Sequence, residues 1–251
     1  MNTTSLEPEL VFPDSDGKPM AENTRQYEAV VTLKGNIEAF APAEAFVAGD
    51  HLIYVDRRDP TARQAPGVYV AFGRPRGHRG NYKVWEEGDV FPQVVFEVLG
   101  PSNTPAEMRA KRRFYFAHGA EEYYEFDPEA GIRLGFVVDA ESGLPSRVAD
   151  MDGHVSPRLG MRFAFRPMQL LVYRPDGSRF LSFQEMEDCV AAERQRAETE
   201  RLRAETKRQR AEAERQRAEI ERQRAETAHN EMERLRAMLR AAGIDPEPPT
   251  G

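Results

Sequence analysis

PQVVFEVLGPSNTPAEMRAKRRFYFAHGAEEYYEFDP, residues 92–128, reads as a strand, a helix and a second strand in direct succession. Val94–Leu99 is dense in Val and Phe, as a buried strand requires. Asn103 or Thr104 is placed to cap a helix, with Pro105 in its first turn and Glu107 behind it. That helix is predicted to run to about His118, where Gly119 stops it. Tyr123–Phe126 is the next strand, closed by Asp127 and Pro128. Alternation of strands and helices predicts a mixed α/β (α+β) domain. Side chains alternate along a strand, so Val95, Glu97 and Leu99 share one face. A carboxylate in mid-strand is expensive to bury alone. Glu97 therefore needs a partner, either a divalent cation or Lys111 on the helix that follows. Oxygen-ligated Mg²⁺ beside a lysine suits the activation of water against a phosphodiester. A buried Glu–Lys pair with a purely structural role fits the same residues, and these residues alone leave both readings open.

Working outward, residues 1–20 read as an extended arm broken by Pro8, Pro13, Gly17 and Pro19. A helix is predicted from Asn23 or Thr24, with Tyr27, Val30, Val31, Leu33, Ile37 and Phe40 as its apolar series and Pro42 beyond its end. Phe46–Val47, His51–Val55 and Gly67–Phe72 read as strands. The connection GRPRGHRGNYKVWEEGDV, residues 73–90, is long and polar enough to suggest a functional segment or lid. Ile132–Val138, Arg147–Ala149, Met161–Phe165 and Leu170–Tyr173 read as further strands, completing a domain over residues 21–181.

Beyond it the chain repeats with a strict period of seven: AERQRAE, TERLRAE, TKRQRAE, AERQRAE, IERQRAE, from Ala192. Ser182 and Glu185 form a capping box at the start of this helix, assigned to residues 182–242. Its seam of Ala, Gln, Thr and a few Leu or Ile is poor for a coiled coil, so a solvated single helix and a self-associating one are both open. Residues 243–251 read as a disordered tail.

The formal net charge is −7. Residues 193–240 hold 14 basic and 11 acidic side chains, so the negative excess lies elsewhere. That opposes a broad basic face for nucleic acid, leaving only a local strip around Arg74, Arg76, His78 and Arg79. No apolar run is long enough to span a bilayer. The start of the chain lacks the basic and apolar regions of a secretory signal. One cysteine, Cys189, fits a reducing cytoplasm and reads as a packing residue, not a nucleophile. Trp85 reads as local core, as do Tyr115, Tyr123 and Tyr124. His51, His118 and His154 lack metal-ligand spacing.

The quoted stretch, with its flanks DSDGKPMAENTRQYEA (14–29), AGDHLIYV (48–55), APGVYVAFGRPRG (65–77), YKVWEEG (82–88) and SPRLGMRF (156–163), resembles the Uma-two family of restriction endonucleases, a branch of the PD-(D/E)XK nuclease superfamily. The resemblance implies a restriction-endonuclease-like mixed sheet flanked by helices. It also implies hydrolysis of DNA with Mg²⁺ or Mn²⁺. Glu97 matches the family's metal-binding glutamate. Lys111 matches its helical catalytic lysine, because position 99 is Leu. Glu22 matches an acidic residue of the first helix that helps hold metal. The aspartate that usually follows Ala65–Pro66 is Gly67 here, and the frequent second Pro-Asp is Pro92–Gln93. Asp50 or Glu22 is then the expected substitute carboxylate. On the nuclease reading the tail is expected to mediate self-association, giving a homo-oligomer. A catalytically inactive relative that binds or scaffolds is the alternative.

Overall fold

A computed structural model describes residues 10–17, 19–128, 133–166 and 169–243. Residues 1–185 and 186–251 form two compact units. In chain order the elements are α1 (Thr24–Phe40), β1 (Ala45–Gly49), β2 (Ile53–Tyr54), β3 (Arg63–Gln64), β4 (Val68–Phe72) and β5 (Tyr82–Lys83), then β6 (Val94–Val98), α2 (Pro105–His118), β7 (Glu122–Phe126), β8 (Arg133–Val138), β9 (Pro145–Arg147), β10 (Arg162–Arg166), β11 (Gln169–Tyr173) and α3 (Phe183–Ala241). The expected mixed sheet flanked by helices, with a long C-terminal helix, is what the chain forms.

The main sheet has the order β1-β4-β6-β7-β8-β9. Only β6 and β7 run parallel within it. Parallel neighbours need a crossover, and α2 supplies it. The helix starts where the sequence places it: Thr104 caps Glu107 and Glu107 caps Thr104 in return. It ends on Gly119 at φ 115°, a left-handed conformation that glycine adopts without strain.

The sheet is buried on both faces. Val30, Leu33 and Ile37 of α1 pack on one face with Val68, Val70, Val94 and Phe96, and the β10–β11 hairpin adds Met161, Phe163 and Val172. Tyr69, Val95 and Tyr123 line the other, under Tyr115 of α2. Tyr27 and Val31, part of the expected apolar series of α1, point to solvent instead. The reason is spacing: residues 30, 33 and 37 already fill the stripe that faces the sheet.

Several expectations are corrected. Residues 73–90 are not a free loop, because they contain β5 and a 3-10 turn, Val84–Glu86. β5 joins β2 and β3 in a separate three-stranded sheet. The basic strip there serves as framework. Arg76 donates to the carbonyls of Glu38 and Ala41 at the end of α1. Arg74 donates to the carbonyl of Glu87. Arg79 pairs with the Glu87 carboxylate at 2.5 Å and lies 4.0 Å over the Phe46 ring. Cys189 is exposed on α3, not packed. Glu22 precedes α1 and does not belong to it. The expected strand start at Ile132 and the tail from residue 244 lie outside the described residues, as do residues 1–9 of the arm. Among the described residues no helix is long and apolar enough to cross a membrane.

Candidate active site

Glu97 occupies the middle of β6 and is 5% exposed. Its face of the sheet is the one α2 covers. Lys111 Nζ lies 3.2 Å from Glu97 Oε2, and the Tyr115 hydroxyl donates to Oε1 at 2.5 Å. Lys111 and Tyr115 are four residues apart, so one stripe of α2 delivers both. Burial raises the pKa of Glu97 above the ordinary carboxylate range, against the lowering influence of Lys111 and Tyr115. Tyr115 is wholly buried, and burial raises its own pKa well above the usual tyrosine value. Its assignment to plain packing is therefore incomplete: it is the second partner of Glu97.

β4 and β6 pair antiparallel with Val68 opposite Phe96. One step further along that register, Gly67 stands opposite Glu97, on the same face. A Cβ at Gly67 would sit 3.2 Å from the Phe96 carbonyl oxygen and 3.2 Å from the Val98 nitrogen. The position where the resemblance expects aspartate thus does face Glu97, and it carries no side chain.

Asp50 reaches the same place from the neighbouring strand. Its backbone N–H lies 3.2 Å from the carbonyls of both Pro66 and Gly67. Its φ is +46°, uncommon for a residue with a side chain and a mark of local strain. Burial raises its pKa, and the nearby Asp16 raises it further.

These groups line one cleft of about 230 Å³. Five carboxylates, Asp16, Glu22, Asp50, Glu97 and Glu107, meet one basic residue there, Lys111. The side chains of Glu22, Asp50, Glu97 and Lys111 are thus brought to a single cavity. The Glu22 carboxylate is taken up by the backbone N–H and hydroxyl of Ser102, which lower its pKa. Gln93 does not line the cleft. Its side-chain oxygen accepts from Phe72 N at 2.7 Å, at the opposite end of β4. Among the described residues, no three His, Cys, Asp or Glu side chains are gathered closely enough to form a ready-made metal cage.

Two buried carboxylates escaped the sequence reading. Glu125 pairs directly with Glu97 across β6 and β7 and has its own cation, Arg112, at 3.4 Å. Glu122, 1% exposed, accepts from Tyr124 at 2.8 Å and from Ser156 at 2.5 Å. A signal was present in EEYYEF. Residues two apart share a face, so Glu122 meets Tyr124 and Tyr123 meets Glu125.

No curated protein matches the chain. The crystal structure of "a putative nuclease belonging to DUF820" from Anabaena variabilis ATCC 29413 is similar at 14% identity and a TM-score of 0.35, covering 53% of this chain and 69% of that one. Residues 17–157 match the family described as "Uma2: Putative restriction endonuclease". A match over more than half of the chain, spanning α1 to the end of the main sheet, establishes that the protein belongs to the Uma2 (Uma-two) family.

Proposed function

We propose that this chain hydrolyses DNA phosphodiester bonds at the Glu97 cleft with the help of a bound Mg²⁺ or Mn²⁺. The observation that carries this reading is the meeting of Glu97 and Lys111, 3.2 Å apart on one face of the sheet, in an acidic cleft. The donor set suits a hard cation. Glu97 and Asp50 both have their charged forms disfavoured by burial, and one lysine faces them. Mg²⁺ is commonly held by one or two carboxylates, its other positions filled by water and substrate phosphate. Such an ion supplies positive charge at the scissile phosphate.

The protein's own groups do the rest. Glu97 and Asp50 would hold the cation. Lys111, kept at the cleft by Glu97, donates to a phosphate oxygen as negative charge builds there. Tyr115 is a positioning residue: its hydroxyl holds one oxygen of Glu97 and leaves the other to the cleft. The test is incubation of supercoiled plasmid with Mg²⁺ or Mn²⁺ beside the Glu97→Gln variant. Equal cleavage by both proteins ends the assignment.

Gly67 favours one competing reading, a catalytically silent relative that keeps the fold for binding. Calorimetric titration with Mn²⁺ separates the two. For an active site we expect one ion per wild-type chain and at least about tenfold weaker binding in Asp50→Asn, as loss of one of few oxygen ligands requires. Gly67→Asp should bind more tightly, once β6 yields by a few tenths of an ångström. No binding by the wild type, with a site created in Gly67→Asp, would favour the silent reading.

We further read α3 as a self-association helix. Its heptads leave Leu202, Ile220, Met232 and Leu235 exposed on a single chain. Sedimentation as a monomer at every concentration tested would sink this. The lone cysteine fits a reducing compartment such as the cytoplasm.

A further inference from the structure

A second cleft, of about 390 Å³, lies on the far side of the loop that joins β6 to α2, and Asn103 is common to both clefts. α2 divides them by its own periodicity. Glu107 and Lys111, one turn apart, line the first. Arg109 and Arg112 line the second, together with Arg147 of β9 and Glu125 of β7. The charge reverses from one cleft to the other. The first sets five carboxylates against a lysine, whereas the second sets three arginines against Glu125 and Asp127.

Arg112 belongs to the floor. It pairs with Glu125, and its guanidinium lies 4.1 Å from the centre of the Phe136 ring. Arg109 and Arg147 are different. Both are exposed. Neither side chain has an ion-pair or hydrogen-bond partner among the described residues. Two unpaired guanidinium groups converge on one cleft in a protein whose net charge is −7. Arginine's planar fork matches a phosphate with two parallel hydrogen bonds.

We propose that the Arg109–Arg147 cleft seats the DNA backbone next to the cleaved bond, binding a phosphate of the strand whose scissile phosphate is engaged by Lys111 in the Glu97 cleft. This rests on the nuclease reading of the first cleft and adds the site that sets the register of the strand across it. Contacts of this kind position a strand without reading its bases. The affinity they supply is therefore the same for any sequence and falls with salt.

The test is fluorescence anisotropy of a labelled DNA duplex in EDTA, which stops cleavage, over a range of salt concentrations. The proteins are wild type, the Arg109→Gln/Arg147→Gln double variant, and Arg25→Gln. Arg25 is an exposed arginine on α1, outside both clefts. The double variant should bind at least about tenfold more weakly, and its log affinity should fall less steeply with log salt by about 0.9, the contribution of one lost phosphate contact. Arg25→Gln should match the wild type. Equal thermal melts of all three exclude misfolding as the cause. A double variant that binds with wild-type affinity and salt slope overturns the cleft assignment. If that variant also still cleaves plasmid in Mg²⁺, the Glu97 reading stands and only the second cleft is lost. A wild-type protein with no affinity for DNA overturns both.

Discussion

Glu97→Gln is expected to abolish metal-dependent plasmid cleavage, by at least about 10³-fold, or some 4 kcal/mol of transition-state stabilisation. Glutamine keeps the shape of the side chain, and its carbonyl oxygen can still accept from the Tyr115 hydroxyl. What it loses is the negative charge that pairs with Lys111 and, on the proposed function, would hold a cation. Folding should survive. Lys111 is partly exposed, so its ammonium can turn to other carboxylates of the cleft.

The same substitution should change the pH dependence of stability, and the sign follows from the raised pKa of Glu97. Burial makes the folded chain hold this proton more tightly than the unfolded chain does. The group's favourable contribution is complete below the unfolded value of 4.5. It is lost as pH rises from there through the folded pKa. Thermal melts of the metal-free wild type should therefore fall over that window relative to Glu97→Gln, which does not titrate. A variant that still cleaves at the wild-type rate, or two melting curves that run parallel across the window, would contradict this account.

Glu122→Ala should be the most destabilising single change among the buried carboxylates, at about 3–5 kcal/mol from unmet buried donors and a void. Glu122 accepts from three donors: the hydroxyls of Tyr124 and Ser156, and the backbone N–H of Arg158 at 2.5 Å. Ser156 in turn accepts from Leu159 N at 3.1 Å. The carboxylate thus ties the segment before β10 to the start of β7. Alanine leaves buried donors unmet and a void beside them, and each unmet group alone costs about 1–3 kcal/mol. At about 2–4 °C per kcal/mol for a domain of this size, the melting temperature should fall by roughly 6–20 °C. Glu122→Gln, which keeps an acceptor, should lose less. Glu122 is absent from the Glu97 cleft, so cleavage below the melting point should persist in either variant. A melting temperature unchanged in Glu122→Ala would show that these hydrogen bonds contribute nothing net.

The contrast between the two glutamates shows where sequence reading succeeds. Glu97 stood out because it interrupts an apolar run, and Lys111 because it follows at the distance of one helix. Both are local facts. The caps of α1, α2 and α3 were legible for the same reason: Asn23, Thr104 with Glu107, and Ser182 with Glu185 each bond within three residues. Glu122 and Glu125 were only partly legible: their tyrosine partners follow from two-residue spacing, but Ser156 and Arg112 are set by packing and not by spacing. Arg74, Arg76 and Arg79 looked like a surface strip because nothing nearby in sequence reveals the carbonyls and the carboxylate that engage them.

Taken by itself, the sequence determined the elements that short-range chemistry controls: the strand predicted at Val94–Leu99, the capped helix behind it, the heptad tail, and the need of Glu97 for a partner. Alternation along a strand and the pitch of a helix act over a few residues, so these features follow from order alone. Tertiary structure decided what meets across the sheet. The register of β4 on β6 sets Gly67 opposite Glu97, and the end of β1 brings Asp50 to the same cleft. Such meetings depend on strand order and on the close approach of two backbones, quantities that no stretch of residues encodes on its own.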